Sequence, residues 1–246
     1  MIALAENREK LFAPFTDAAD AFICRIRAMS RLYWQDKHIL FYTNSINCSL
    51  YVENGNAVVW LSPDSTASEI EELCDLLSVT ARTVRINRAL PLAGYAQTTG
   101  RIYGGCTANA FTSRVEENLR DCLAVWQAVF PVEFSGEAGL VRYADCSHWI
   151  RHGISRAFCF DKKAALLVFC KDNGYAVIDQ LAVLPGSRGN GYAVRLLSHA
   201  AAMLQLENGF LFESRDAQSD HFYEKNKFRH IGEWYAYIYR DVKGVF

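Results

Sequence analysis

Three glycines, Gly186, Gly189 and Gly191, crowd around Arg188 in the stretch LAVLPGSRGNGYAVRLLSHA, which runs from Leu181 to Ala200. An apolar, strand-like run precedes them, and a helix-spaced apolar pattern follows. A strand that turns through glycine straight into a helix places the chain among α/β folds. Glycine lets successive backbone N–H groups converge on a shallow cup without interference from Cβ. The helix that starts there adds about half a positive charge at its N-terminus. Together they make an anion site suited to phosphate or pyrophosphate, to which Arg188 adds a charge-assisted contact. The competing reading is that the glycines serve only close strand–helix packing.

The flanking patterns set the context. Ala164–Cys170 and Tyr175–Leu184 are strand-like and flank Asn173-Gly174, a strong hairpin signal. After the glycines, Ala193, Leu197, Ala200, Ala201 and Leu204 share one helix side, with Asn208-Gly209 as the stop. Phe210–Glu213 predicts a strand, DHFYEKNKF the end of a short helix, and WYAYIY a last strand. With RAFCF at Arg156–Phe160 in front, the second half reads β-β-β-α-β-α-β.

The first half alternates element types too. Asp17–Leu32 has helix spacing, and Ile39–Asn44 and Cys48–Ser62 read as strands, the latter folding over at Glu53–Asn56. Thr66 and Glu69 form a capping box that opens a helix to about Val79. Thr83–Asn87 is a further short strand. Pro91 and the glycines between Leu90 and Ala110 predict an irregular connection, which puts a domain boundary near Asn109 and divides the chain into 1–108 and 109–246. Ser113 and Glu116 predict a second capping box and a helix with Val115, Leu119, Cys122, Trp126 and Val129 on one face, ended by Pro131. Another helix covers about Ala144–Ser155.

Composition narrows the partners. The 246 residues carry a formal charge of −1 and are 51% apolar, which gives no electrostatic footprint for nucleic acid and no run long enough to span a bilayer. The eight cysteines form no C-x-x-C pair. With no secretory pattern at the N-terminus, they read as reduced thiols of a cytoplasmic protein. His148 and His152 stand four apart, but Trp149 replaces the glutamate that H-E-x-x-H requires, so no metal is expected.

The ligand class follows by elimination. A P-loop needs lysine and a hydroxyl after its last glycine, and GSRGNGYA has neither. A dinucleotide fingerprint needs a third small residue where Val194 stands, and a second α/β half for which too little chain follows Glu213. Arg188–Ala193 fits Gln/Arg-x-x-Gly-x-Gly/Ala, and Tyr223–Phe228 reads YEKNKF. With these two motifs in order and strand–helix–strand between them, the region from about Arg142 to Tyr239 resembles the GNAT superfamily of N-acetyltransferases.

That resemblance implies a mixed-sheet fold in the C-terminal half. Acetyl-CoA would pair with backbone of Leu181, Ala182 and Val183 beside a bulged strand. Its pyrophosphate would lie on Arg188, Gly189, Asn190, Gly191, Tyr192 and Ala193. Tyr223 would be the acid for the leaving thiolate. Asp179 and Glu213 are alternative bases, with a water on a polar chain as a third. Strand alternation puts Asp179 on one face with Tyr175, Val177 and Leu181, unless a bulge shifts the phase. Asp216 stands where the family often has an asparagine that contacts the cofactor, and Lys227 replaces a glycine, so Asn226 is expected to take the left-handed cap. Double-GNAT chains exist in the family, and the N-terminal α/β half is read as a degenerate copy. The expected activity is metal-free transfer of an acetyl or short acyl group to a primary amine of a small molecule or peptide, by a monomer or homodimer. The alternatives are an acyl-CoA-sensing module and an NAD(P)-dependent oxidoreductase.

Overall fold

The computed structural model describes residues 1–15, 20–108, 110–112 and 114–240. Its first elements are β1 (Ala3–Leu4), α1 (Arg8–Phe12), α2 (Ala21–Tyr33), β2 (Ile39–Thr43), β3 (Cys48–Glu53), β4 (Asn56–Leu61), α3 (Ala67–Thr80), β5 (Thr83–Ile86) and β6 (Tyr95–Gly105). Then follow β7 (Val115–Glu116), α4 (Leu119–Val129), α5 (Pro131–Phe134), α6 (Gly136–Arg151), β8 (Arg156–Phe160), β9 (Ala164–Asp172) and β10 (Tyr175–Val183). A 3-10 turn at Pro185–Ser187 precedes α7 (Tyr192–Leu204), β11 (Gly209–Ser214), α8 (Ala217–Lys225) and β12 (Arg229–Tyr239).

Two compact units form. One comprises Met1–Ile102, Glu213–Asp220 and the chain from His230; the other comprises Tyr103–Phe212 and His221–Arg229. The expected boundary residue, Asn109, lies outside the described residues.

In the first unit the strand order is β1-β2-β3-β4-β5-β12. β2, β3 and β4 form an antiparallel meander, and β4 then pairs in parallel with β5, as its crossover through α3 requires. α3 starts where Thr66 and Glu69 predict, with both bonds of the box made. α2 starts at Ala21, capped by Asp20, which accepts from the amides of Phe22 and Ile23; the expected start at Asp17 lies outside the described residues. The C-terminal strand β12 completes this unit antiparallel to β5, and the Tyr237 hydroxyl, buried in the core, accepts from the Leu90 amide at 2.6 Å.

The expected irregular segment between Leu90 and Ala110 is instead largely the strand β6. Three of the glycines expected to break the chain, Gly100, Gly104 and Gly105, lie within it. A Cβ on Gly100 would collide with the Ser214 carbonyl and the Trp234 ring, so glycine is there for close approach within a strand.

In the second unit the order is β11-β10-β9-β8-β7, with β10 and β11 parallel and the rest antiparallel. α7 covers one face. Leu196, Leu197 and Ala200 are fully buried there with Phe158, Phe210 and Phe212, and each leucine contributes roughly 1.5–3 kcal/mol of burial. α4 and α6 cover the other face through Cys122, Trp126 and Cys146. α4 begins later than expected: Val115 and Glu116 form β7, and Asn118 caps the helix by accepting from the Asp121 amide at 3.2 Å. Ser113, the expected cap, lies outside the described residues. α6 begins earlier than expected, at Gly136. α7 ends at Gln205, left-handed at φ 51°, ahead of the expected Asn208-Gly209 stop. Among the described residues no helix is long and apolar enough to cross a membrane.

Candidate active site

β10 carries the irregularity on which the site depends. Its register against β9 shifts twice, between Val177 and Ile178 and again between Ile178 and Gln180. At the second shift Asp179 is the extra residue, a β-bulge that moves the side-chain phase by one. Ala176 and Ile178 therefore pack on the α7 side before the bulge, and Leu181 and Val183 do so after it, while Ala182 turns to the α4–α6 side. This corrects the expected common face of Asp179 and Leu181. The Asp179 carboxylate forms an ion pair with Arg142 of α6, whose guanidinium lies 5.6 Å from the centre of the Trp149 ring.

The bulge coincides with a parting of strands. Parallel pairing between β10 and β11 runs from Tyr175↔Gly209 to Ile178↔Phe212. β10 then runs on to Val183, paired with β9 as far as Val183↔Ala164. The backbone of Leu181, Ala182 and Val183 thus belongs to the stretch past the end of that parallel ladder.

The glycine stretch follows directly. The Leu184 amide donates to the Lys163 carbonyl (2.9 Å) and the Ser187 amide to the Leu184 carbonyl (2.8 Å). Arg188 is exposed, and its Nε donates to the Val183 carbonyl at 3.4 Å. Asn190 Nδ2 bonds the Ser187 carbonyl at 3.1 Å. Gly189 (φ 81°) and Gly191 (φ 72°) take left-handed conformations, and Gly191 is the N-cap of α7, without any side chain to accept from its first amides. A Cβ at Gly186, Gly189 or Gly191 would meet nothing within 4 Å. Close strand–helix packing is therefore not what these glycines serve. They hold a turn and leave the space in front of α7 open. A charge placed there gains about 0.3–1 kcal/mol from the helix, up to about 2 when partly buried. Tyr192 and Ala193 open the helix, and the Tyr192 ring packs on Phe160 at 5.0 Å.

Tyr223 sits on α8, buried among Phe212 (4.6 Å between ring centres), Tyr103 (5.2 Å) and Phe228 (6.1 Å). α8 is capped by Asp216, whose Oδ1 accepts from the Ser219 amide at 2.7 Å. After the helix the left-handed residue is Lys227 (φ 63°), not Asn226 as expected. Asn226 instead donates through Nδ2 to the Phe222 carbonyl at 2.7 Å.

Glu213 belongs to the first unit, where its nearly buried carboxylate is held by Arg25 and Arg85. Two guanidinium groups compensate it there. The His148 and His152 rings lie 4.4 Å apart, and among the described residues no three His, Cys, Asp or Glu side chains converge as metal ligands would. Arg142 and Trp149 are the site residues that sequence reasoning missed. Their seven-residue spacing, with Cys146 between, marks one helix face, but the expected helix began only at Ala144, after Arg142.

The fold has counterparts among known proteins. Residues 141–230 match the profile of the acetyltransferase (GNAT) domain. The fold recurs in an acetyltransferase of the GNAT family from Colwellia psychrerythraea (13% identity, 98% of this chain and 100% of that one, TM-score 0.54). It recurs in a tandem GNAT protein from the clavulanic acid biosynthesis pathway (10%, 96% and 96%, 0.53) and in a GCN5-related N-acetyltransferase from Sphaerobacter thermophilus (12%, 96% and 94%, 0.52). No curated protein matches the sequence. The fold is the one these GNAT proteins share.

Proposed function

We propose that the protein transfers an acetyl or short acyl group from acyl-CoA to a primary amine of a small molecule or peptide. One observation carries this reading: an uncapped, glycine-built helix N-terminus stands at the end of a strand that has just parted from its parallel neighbour. The amides of Gly189–Ala193, with Arg188, take the pyrophosphate. The pantetheine arm pairs with the backbone of Leu181–Val183, where an N–H also donates to the oxyanion.

The amine nitrogen attacks the thioester carbonyl carbon, and collapse of the tetrahedral adduct breaks the C–S bond. The amine proton passes to Asp179, directly or through one water, and the thiolate takes the Tyr223 phenolic proton. Asp179 is preferred to Glu213 because it occupies the bulge itself and is paired with Arg142, whereas two guanidinium groups, those of Arg25 and Arg85, hold Glu213. Proximity does the rest, and the step as written uses no metal.

Acetyl-CoA mixed with a panel of amines, read as free thiol and as product mass, tests the proposal. Release of CoA matched by acylated amine is expected. Binding without release makes the chain an acyl-CoA sensor. Thermal stabilisation by NAD(P) and none by CoA overturns the coenzyme assignment, since a ligand at a hundred times its Kd adds about 2.7 kcal/mol.

A further inference from the structure

We propose that Arg142 is a positioning residue for this reaction: resting on the Trp149 ring, its guanidinium aims the Asp179 carboxylate from the β10 bulge and keeps it ionised. The inference rests on the reading of Asp179 as the proton acceptor.

The face of α6 turned to the sheet repeats at Gly139, Arg142, Cys146 and Trp149, as a helix stripe does. Gly139 and Cys146 are buried, and Cys146 and Trp149 pack with the cluster that holds Ala182. Arg142 is the one charged residue in that repeat. Its side chain is 27% exposed and that of Asp179 10%, so the pair is shielded enough to matter more than a surface ion pair. The Arg142 guanidinium meets the carboxylate of the bulge residue, and the Trp149 ring restricts the guanidinium in turn. An opposite charge at this range favours the ionised carboxylate.

Other titratable groups lie on the elements packed around the pair. α6 also carries Glu137, Tyr143, Asp145, His148 and Arg151, and Arg142 acts on Asp145 through space. β10 adds Tyr175, and β9 adds Lys171 and Asp172 at the end paired with Ala176 and Tyr175. α4 brings Arg120 and Asp121, the latter answering Lys162. Arg195 and His199 belong to α7, which covers the opposite face.

The test is the pH profile of kcat/KM for thiol release in wild type, R142Q and R142K. R142Q is expected to move the acid limb upward by about one pH unit or more and to lower kcat roughly ten- to a hundredfold. R142K, which keeps the charge and loses the fork, restores the acid limb while kcat stays low. An acid limb common to wild type and R142Q overturns the proposal, as does one that lysine does not restore. Should glutamine prevent folding, R142K alone decides: unchanged kcat means that the fork positions nothing. Failure of the underlying reading looks different. Wild type then releases no thiol, or D179N keeps the wild-type rate and pH profile.

Discussion

The two units run the same order of elements, β2-β3-β4-α3-β5 and β8-β9-β10-α7-β11, each with a parallel pair that stops after four residues. They differ at the strand–helix junction. In the second unit the junction is glycine-built and the amides in front of α7 face open space. In the first it is Ser62-Pro63-Asp64-Ser65-Thr66, without glycine, and the chain fills its own cup. Glu69 accepts from the Thr66 amide at 2.8 Å and from Asn44 and Asn47, while Thr66 accepts from the Glu69 amide. Beyond the parallel ladder, Asn87 accepts from the Leu61 amide (2.9 Å) and donates to the Leu61 carbonyl (3.1 Å). Arg88 donates to the carbonyls of Ser62 and Pro63. The groups that would hold a diphosphate and an amide chain at one junction are consumed by side chains at the other. A shared order of elements does not imply a shared ligand.

The largest effect tests that contrast directly. Calorimetry with acetyl-CoA should give one site per chain, and G191V should weaken it by about a hundredfold. A β-branched residue at positive φ is strained by roughly 1–2 kcal/mol, and its methyls stand where the ligand must lie. The fold itself tolerates the added atoms, since a Cβ there touches nothing within 4 Å. Two sites per chain would break the comparison.

A second test sharpens the role of the open side. Tyr223 is almost buried among aromatic rings, so Y223F keeps the packing and removes only the hydroxyl. Loss of a general acid should lower kcat at least about tenfold, and up to a hundredfold or more, with the Kd for acetyl-CoA unchanged. An unaltered kcat would make the residue a packing element.

What could be read from the sequence follows the range of the interactions involved. The Thr66–Glu69 box, the Asn173-Gly174 hairpin and the Gly189–Gly191 turn are set by residues within a few positions of one another, and each forms where expected. Gly100 misled because its reason is spatial: Ser214 and Trp234, far along the chain, press against it. The partner of Asp179 was invisible for the same cause, since Arg142 is 37 residues away on another element. The bulge that turns Leu181 away from Asp179 is a property of the β9–β10 register, which neither strand encodes alone.

The smallest effect lies at the filled junction. T66A should cost about 1 kcal/mol, some 2–4 °C in Tm for a chain of this size, with kcat and acetyl-CoA affinity unchanged. E69Q is finer, because glutamine can still close the box and only the charge is lost. The Thr66 amide, together with the Asn47, Thr66 and Asn44 side chains, holds the Glu69 carboxyl below its ordinary value of 4.5. A carboxylate with a depressed folded-state value stabilises the fold above its unfolded value, and that contribution fades as pH falls through the folded one. Wild type should therefore exceed E69Q in stability near neutral pH by less than about 1 kcal/mol, and the gap should close in acid, below about pH 4. A gap that persists there would mean that the oxygen geometry alone, and not the negative charge, occupies this junction. The first unit's cup would then be filled in shape but remain open to an anion.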